Sequence, residues 1–257
     1  MRMPIIVGNW KMNTNIAEAV SLVISSRNRL DQIQGVEKVV CPPFVWLAEV
    51  RDLLKNSTVK LGAQNVSHET TGAYTGEIST SMLATLCQHV ILGHCERRRY
   101  FCENDETVNR KLVATLSAGL VPIVCVGEEL EDREAGRTEE VVTKQVKGIF
   151  DGVKSLDGTV IAYEPVWAIG TGETPSGPQA NATIGVIRQI FDDFYGWEVA
   201  RTIRILYGGS VNSSNIAEFV SQPEIDGALL GRSSLKADEF VSIVRQTAQI
   251  KNTACSD

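Results

Sequence analysis

Eight short apolar runs alternate with longer amphipathic segments, and this alternation restricts the possible folds more than any other feature of the chain. The runs are Ile5–Gly8, Lys38–Cys41, Val59–Ala63, His89–Leu92, Val121–Val126, Val160–Tyr163, Ile203–Tyr207 and Ile225–Leu230. Continuous apolar runs of this length are typical of strands that a parallel sheet buries on both faces. We therefore expect eight buried parallel strands.

Amphipathic segments follow the runs, as helices would in a chain of strand–helix units. Apolar residues recur at helical spacing between the first two runs. Further helices are expected over Glu103–Ala118, Thr138–Phe150, Gln179–Phe194 and Ala237–Ile250. Eight units are the number that closes a (β/α)8 barrel. We predict one α/β domain of this kind over residues 1–257, since a single barrel needs about 250 residues.

A doubly wound open sheet with a second domain is the competing fold. Such a chain would be expected to show a linker or a change of composition between its domains, and neither is present. The first run is also not followed by G-x-G-x-x-G, the glycine pattern of dinucleotide-binding sheets. The pattern therefore favours the barrel.

The charge balance and the cysteines limit the functional classes. Lys and Arg number 25 against 31 Asp and Glu, a net charge of −6 without a basic run, so a nucleic-acid partner is not expected. No apolar stretch reaches the roughly 18 residues of a membrane helix, and the first residues lack the pattern of a signal peptide. Six cysteines without a CxxC pair indicate reduced thiols. We expect a cytoplasmic protein with no membrane partner.

Polar residues gather at the ends of the predicted strands. These ends include Asn9-Trp10-Lys11, Gln64-Asn65, Gly93–Arg98, Glu128, Glu164–Gly172, Gly208-Gly209-Ser210 and Gly231-Arg232-Ser233. In a barrel the active site lies at the carboxyl edge of the strands. The convergence of polar groups on this edge predicts a catalytic site there.

Three side chains at this edge are candidates for catalysis, and each also has a purely structural interpretation. His94 is either a core imidazole bonded to a carbonyl or a neutral hydrogen-bond donor, because the helix N-terminus that follows disfavours positive charge. Glu164 is either a buried ion-pair partner or a general base. Lys11 is either half of a structural ion pair or a fixed cation for an anionic substrate.

Glycines mark the ends of the last three strands, at 170–172, 208–209 and 231. Each cluster alone predicts only a turn. Together, with Ser210 and Ser233 close by, they are typical of a phosphate site built from backbone N–H groups, which barrels often have in this place.

The same motifs resemble those of the triosephosphate isomerase family. The resemblance rests on Asn9-Trp10-Lys11, Gly93–Arg98, Ala162–Gly172 and Tyr207-Gly208-Gly209-Ser210, and it extends from about residue 4 to residue 250. It implies the TIM barrel fold. It also implies the interconversion of dihydroxyacetone phosphate and D-glyceraldehyde 3-phosphate, with no metal and no organic cofactor.

The resemblance further implies a role for each matching residue. Glu164 would be the base that moves a proton between two substrate carbons, and His94 the neutral electrophile that polarises the carbonyl, which is the division of roles known for this family. Lys11 and Asn9 would bind substrate and stabilise the enediolate, with Glu96 holding Lys11 in place. The phosphate would be bound by backbone N–H groups at Gly170, Ser210, Gly231 and Arg232.

Two loops complete the resemblance. Ala168–Gly172 corresponds to the lid that keeps the enediolate phosphate away from water, where it would lose its phosphate. Gln64–Glu77 corresponds to the arm that enters a neighbouring subunit, with Thr75 reaching the partner's active-site region. The resemblance thus implies a homodimer through Gln64–Glu77 that acts on a small phosphorylated triose.

Three positions depart from the family pattern. Glu173-Thr174-Pro175 replaces the usual rear hinge of the lid, and Arg232 replaces a common second glycine. Cys95 stands where serine usually follows the histidine, and a thiol is a weaker hydrogen-bond donor to Glu164 than a hydroxyl. N–H groups at the helix start and the arginines that follow would favour a reactive thiolate. The alternative is a shielded and inert cysteine.

Two rival functions use the same fold. Another phosphosugar isomerase would share the base and the phosphate site but would need a longer pocket, and the full-length resemblance argues against that. A catalytically silent scaffold would be expected to have lost Lys11, His94 or Glu164, and the chain has all three.

Overall fold

Eight parallel strands close into a barrel in the computed structural model, which describes residues 2–168 and 174–253. The strands are β1 (Ile5–Asn9), β2 (Glu37–Cys41), β3 (Val59–Ala63), β4 (His89–Leu92), β5 (Val121–Val126), β6 (Val160–Tyr163), β7 (Arg204–Tyr207) and β8 (Gly227–Leu230). Each strand pairs with its neighbours in the chain, and β8 pairs with β1. The predicted (β/α)8 TIM barrel is confirmed.

The predicted runs differ from the strands only at their ends. Ile203 and Ile225 were expected to begin the last two strands, but β7 and β8 start after them. Both side chains are nevertheless buried. Apolar burial extends into the turn that enters each strand, so hydrophobicity alone does not mark where pairing begins.

Helices connect the strands. They are α1 (Ile16–Asp31), α2 (Leu47–Leu53), α3 (Thr80–Leu83), α4 (Cys95–Phe101), α5 (Asp105–Ser117), α6 (Leu130–Glu134), α7 (Thr138–Phe150), α8 (Gly177–Tyr195), α9 (Trp197–Ala200), α10 (Ile216–Val220) and α11 (Ala237–Thr253). The expected helix over Glu103–Ala118 becomes α5, because the Asn104 side chain accepts from the Thr107 N–H at 2.9 Å and caps the N-terminus. No helix in the described ranges is both long enough and apolar enough to cross a membrane.

Two apolar layers stabilise the barrel. Inward-facing strand residues fill its interior, among them Ile5, Val39, Ile91, Ile123 and Leu206. A larger layer lies between the strands and the surrounding helices. Because side chains fill the interior, it is a packed core rather than a pore, and polar groups concentrate at the two edges of the barrel.

The cysteines that the structure describes are free thiols, in agreement with the sequence. Cys41, Cys87, Cys95 and Cys125 are buried, and Cys102 is exposed at the end of α4. Burial raises the pKa of Cys41, Cys87 and Cys125, so these thiols stay protonated and pack as small apolar groups.

A charged cluster lies at the amino edge of the barrel, opposite the carboxyl ends of the strands. It joins the first residues of three strands, Glu37, His89 and Arg204. Glu37 forms an ion pair with Arg204, and its Oε1 lies 3.0 Å from His89 Nε2. Burial alone would raise the pKa of Glu37, but the contact with His89 and the charge of Arg204 outweigh burial and lower that pKa to about 2.

This cluster predicts a loss of stability in acid. A carboxyl group whose pKa is lower in the folded chain stabilises the fold above its unfolded pKa, here 4.5, and the contribution disappears as the pH falls towards 2. We expect Glu37→Gln to lower the free energy of unfolding by about 1–3 kcal/mol at neutral pH and to flatten its decline in acid. Urea titrations over this pH range measure both effects. Glu139→Gln, at an exposed position of α7, is the control, and an equally steep decline in Glu37→Gln would contradict the prediction.

Candidate active site

A cleft of about 900 Å³ opens at the carboxyl edge of the barrel. The predicted site residues that line it are Asn9, Lys11, His94, Cys95, Glu96, Glu164, Ser210, Gly231 and Arg232. They come from the ends of β1, β4, β6, β7 and β8. Gly170, the other lid residues at 169–172 and Glu173 of the hinge lie outside the described residues. Every predicted site residue that the structure describes thus lies in one cleft.

His94 stands at the N-terminus of α4 with a defined tautomer. Its Nδ1 accepts a hydrogen bond from the Glu96 N–H at 3.2 Å, so this nitrogen has no proton and the neutral ring has its proton on Nε2. Nε2 lies 3.0 Å from Glu164 Oε1 rather than against a backbone carbonyl. The ring therefore presents a neutral N–H donor to the cleft.

Glu164 follows β6 and is hydrogen-bonded to the start of α4. Its Oε2 accepts from the Cys95 N–H at 2.9 Å, and its Oε1 faces His94 Nε2. No lysine or arginine in the described part of the chain forms an ion pair with this carboxylate. Gly208 leaves room for the side chain, because a Cβ there would lie 2.9 Å from Glu164 Cγ. The geometry favours a base over a structural ion-pair partner.

Lys11 has a left-handed backbone, with φ of 54°, that two side chains stabilise. Asn9 Oδ1 accepts from the Lys11 N–H at 2.9 Å, and Gln64 Nε2 donates to the Lys11 carbonyl at 2.9 Å. A left-handed conformation costs a residue with a Cβ about 1–2 kcal/mol, and the two hydrogen bonds offset that cost. The Lys11 ammonium lies 2.7 Å from Glu96 Oε1, which fixes a cation in the cleft.

The Cys95 thiol is shielded rather than reactive. Burial and the charge of Glu164 raise its pKa well above the usual range. Arg97 and Arg98, which follow Cys95 in α4, each form an ion pair with a carboxylate. Of the two interpretations of Cys95, the structure therefore favours the shielded, protonated thiol. Cysteine in place of the family's usual serine also keeps the hydrogen bond from the residue 95 backbone N–H to Glu164, because that bond does not involve the side chain.

The turns after β7 and β8 also line the cleft. Gly208, Gly209 and Ser210 follow β7, and Gly231 precedes the short 3-10 turn Arg232–Leu235. Gly209 must be a glycine, since a Cβ there would lie 2.1 Å from the Tyr207 hydroxyl oxygen. Backbone N–H groups at such turns bind anions.

The site also includes residues to which the sequence gave no role in it. Gln64 was expected only as a polar strand end and as the start of the dimer arm, but its amide donates to the carbonyls of Lys11, which lines the cleft, and Cys41. Other such residues that line the cleft include Arg99, Tyr100 and Lys236. No pattern marked these three, because they lie on turns and helices beyond the strand ends.

Together these groups place a carboxylate, a neutral N–H donor and an ammonium ion around one cleft. A carboxylate takes a proton from carbon most readily when the neighbouring carbonyl oxygen is stabilised as it becomes negative. A neutral N–H donor and an ammonium ion are groups that can supply that stabilisation. The arrangement therefore suits proton transfer at a carbon beside a carbonyl group.

Comparison with known proteins relates the whole barrel to one family. The family model described as triosephosphate isomerase matches residues 4–247. A triosephosphate isomerase from Dehalococcoides mccartyi strain BAV1 is 54% identical over 252 residues, which cover 98% of this chain and 99% of that protein. One from Dictyoglomus thermophilum is 50% identical over 248 residues, 95% of this chain and 100% of that protein. One from Alkaliphilus oremlandii is 49% identical over 247 residues, which cover 95% of this chain and 99% of that protein.

Proposed function

The chain belongs to the triosephosphate isomerase family, and from that membership we propose the roles of its site residues. It is an aldose–ketose isomerase that interconverts dihydroxyacetone phosphate and D-glyceraldehyde 3-phosphate. The observation that carries the proposal is the 3.0 Å contact between Glu164 Oε1 and His94 Nε2, in a cleft that Lys11 also lines. These three groups surround the space for a triose.

Glu164 is the base. In the substrate-free protein both of its oxygens have partners, His94 Nε2 and the Cys95 N–H, so the carboxylate leaves them to reach the substrate. It takes a proton from C1 of dihydroxyacetone phosphate, which gives an enediolate. The hydroxyl proton moves from the C1 oxygen to the C2 oxygen, and Glu164 returns its proton to C2, which gives the aldehyde at C1 and a hydroxyl group at C2.

His94 and Lys11 stabilise the oxygen that becomes negative. When Glu164 leaves, the Nε2–H of His94 is free to donate to the substrate carbonyl. The Lys11 ammonium, positioned through Asn9, Gln64 and Glu96, adds a positive charge in the same cleft. Donors that are already positioned stabilise an oxyanion without further reorganisation.

The phosphate lies against the turns that follow β7 and β8. Backbone N–H groups at Ser210, Gly231 and Arg232 bind it, and Gly170 completes the site in this proposal. The lid at 168–172 then covers the enediolate and excludes water. These turns lie close to the proton-transfer groups, because a Cβ at Gly208 would be 2.9 Å from Glu164 Cγ and one at Gly231 would be 3.4 Å from Lys11 Cε. This short spacing suits a small phosphorylated substrate.

Arg232 adds a guanidinium group to this phosphate site. The residue lines the cleft, is exposed, and has no hydrogen-bond or ion-pair partner in the side-chain contacts of residues 2–168 and 174–253. We expect Arg232→Gln to raise KM about two- to fivefold, equivalent to ~0.5–1 kcal/mol, with little change in kcat. Steady-state kinetics at several salt concentrations measure this effect, which added salt should diminish.

Arg110 provides the matched control for this substitution. It is exposed on α5, outside the residues that line the cleft. Arg110→Gln is expected to keep the wild-type KM at every salt concentration. Equal KM values in Arg232→Gln and the wild type at low salt would show that the guanidinium takes no part in binding.

A homodimer formed through the 64–77 loop is part of the proposal. The loop is long for a barrel and is exposed at residues 70–77. Large apolar side chains are also exposed on segments that follow β1–β4: Met12, Val45, Tyr74, Met82, Tyr100 and Phe101. Because β1–β4 are neighbours in the barrel, these side chains share one side of it, and exposed apolar groups of this kind are typical of an interface. In this arrangement Thr75 enters the partner's active-site region.

Direct measurement of isomerisation tests the function. We expect the purified protein, treated with a chelator, to convert glyceraldehyde 3-phosphate into dihydroxyacetone phosphate, as followed by NMR. A folded protein without this activity would be a silent scaffold, and a preference for longer phosphosugars would indicate a different isomerase. The free thiols of the described cysteines support a cytoplasmic location.

A further inference from the structure

Three metal-ligating groups of different chemistry meet at the start of α4. One ring nitrogen of His94, the Sγ of Cys95 and a carboxylate oxygen of Glu164 lie within 4.8 Å of one another. The residues are 5%, 7% and 3% exposed, and all three line the cleft. The cluster is therefore shielded by the protein on most sides but reachable from the substrate space.

One pair of ligand atoms in this cluster has nearly the spacing found at a zinc site. Zn²⁺ binds nitrogen and oxygen at about 2.0–2.2 Å and thiolate at about 2.3 Å, so tetrahedral ligand atoms stand roughly 3.3–3.6 Å apart. His94 Nε2 and Glu164 Oε1 are 3.0 Å apart, and the Cys95 Sγ lies within 4.8 Å of a ring nitrogen of His94 and of a carboxylate oxygen of Glu164. In the metal-free protein the sulfur stands beside Nδ1, 3.8 Å away, so metal binding would require the Cys95 side chain to move towards Nε2. The fourth position would face the cleft.

The sulfur of Cys95 determines which cation this cluster prefers to bind. A thiolate is a soft ligand that favours Zn²⁺ over Mg²⁺ and Ca²⁺, which prefer oxygen ligands. The serine that usually occupies this position would offer a neutral hydroxyl group. The ligand set is therefore a property of this chain, created by its departure from the family pattern.

We propose that His94, Cys95 and Glu164 bind one Zn²⁺ in the substrate-free protein and that the ion inhibits the enzyme reversibly. On binding, the Cys95 thiol releases its proton to solvent. The His94 proton moves from Nε2 to Nδ1, and the hydrogen bond from the Glu96 N–H is lost. The metal site stands on the geometry, whereas the inhibition rests on the proposed function, because the ion occupies the base and the electrophile. Zn²⁺ and substrate therefore compete.

Binding is tested without any measurement of activity. Co²⁺ substitutes for Zn²⁺, and a cobalt–thiolate bond gives a charge-transfer band in the near ultraviolet. We expect this band in the wild type and in Cys102→Ser, which changes the exposed cysteine, but not in Cys95→Ser. Calorimetry with Zn²⁺ is expected to show one ion per wild-type chain and affinity at least about tenfold weaker in Cys95→Ser. A folded Cys95→Ser that binds Zn²⁺ as tightly as the wild type overturns the proposal.

Inhibition is measured by following the triose phosphates directly by NMR, since coupling enzymes bind Zn²⁺ themselves. We expect inhibition that EDTA reverses, that excess dihydroxyacetone phosphate weakens, and that needs at least about tenfold more Zn²⁺ in Cys95→Ser. Stoichiometric Zn²⁺ binding without inhibition overturns the inhibitory role. An inactive wild type that still gives the cobalt–thiolate band would contradict the proposed function and support the metal site.

Discussion

Replacing Glu164 by glutamine is expected to lower kcat by at least about 10²–10⁴-fold while the barrel stays folded. Glutamine has nearly the shape of glutamate but cannot take a proton from carbon. Its single side-chain oxygen also accepts from only one of the two donors at the start of α4, His94 Nε2–H and the Cys95 N–H. We therefore expect a drop in Tm of about 2–4 °C. Steady-state kinetics and thermal unfolding by circular dichroism measure the two effects separately.

Glu139→Gln is the matched control for this experiment. It makes the same chemical change on the exposed face of α7, outside the residues that line the active-site cleft. Wild-type kcat and Tm are expected for it. If Glu164→Gln kept more than about a tenth of the wild-type kcat, the base would be another group, because a positioned general base contributes at least about 10²-fold.

Shortening the 64–77 loop is expected to give a monomer with severely reduced activity. The loop ends lie close together, because the Ser67 N–H donates to the Ile78 carbonyl at 2.7 Å. A short Gly-Ser link can therefore replace residues 68–76 without displacing β3 or α3. Without partner contacts, the loop that begins at Gln64 is less restrained, and Gln64 donates a hydrogen bond to the Lys11 carbonyl. Lys11 is then positioned less firmly, and a displacement of about 1 Å would lower activity about 10²-fold. Light scattering measures the oligomeric state, and steady-state kinetics measures the activity.

Two further variants separate loop shortening from dimer loss. A similar link at residues 154–157, between α7 and β6, lies at the amino edge of the barrel and is expected to leave a fully active dimer. Tyr74→Asp keeps the loop length but places a charge on its exposed tip, and it is expected to weaken the dimer. If the shortened protein remained dimeric in solution, the interface would lie elsewhere.

The strands were predictable because a parallel barrel buries both faces of each strand. Strands that are buried on both faces need apolar residues at consecutive positions, and such residues appear in the sequence as continuous apolar runs. The runs at Val59–Ala63, His89–Leu92 and Val121–Val126 coincide with β3, β4 and β5. The position of the site followed from the same pattern, since polar residues at strand ends share one edge.

The contacts within the site were not predictable from the sequence in the same way. The hydrogen bonds of Gln64 to Lys11 and Cys41 join three different strand ends, and no local pattern encodes such a contact. The protonated state of the Cys95 thiol in the metal-free protein depends on burial and on the charge of Glu164, whereas the sequence showed only a helix start with nearby arginines. Local motifs identify the groups, but the electrostatics of each group depends on its neighbours in space.

Gln64 belongs both to the loop that would contact a partner and to the support of the active-site lysine. A shared residue of this kind links two equilibria thermodynamically. If self-association changes the affinity for substrate by some factor, substrate must change the association constant by the same factor. The same coupling free energy would then enter both the dimerisation equilibrium and the binding of substrate. In a dilute solution, the concentration of the protein would therefore help to determine its affinity for substrate.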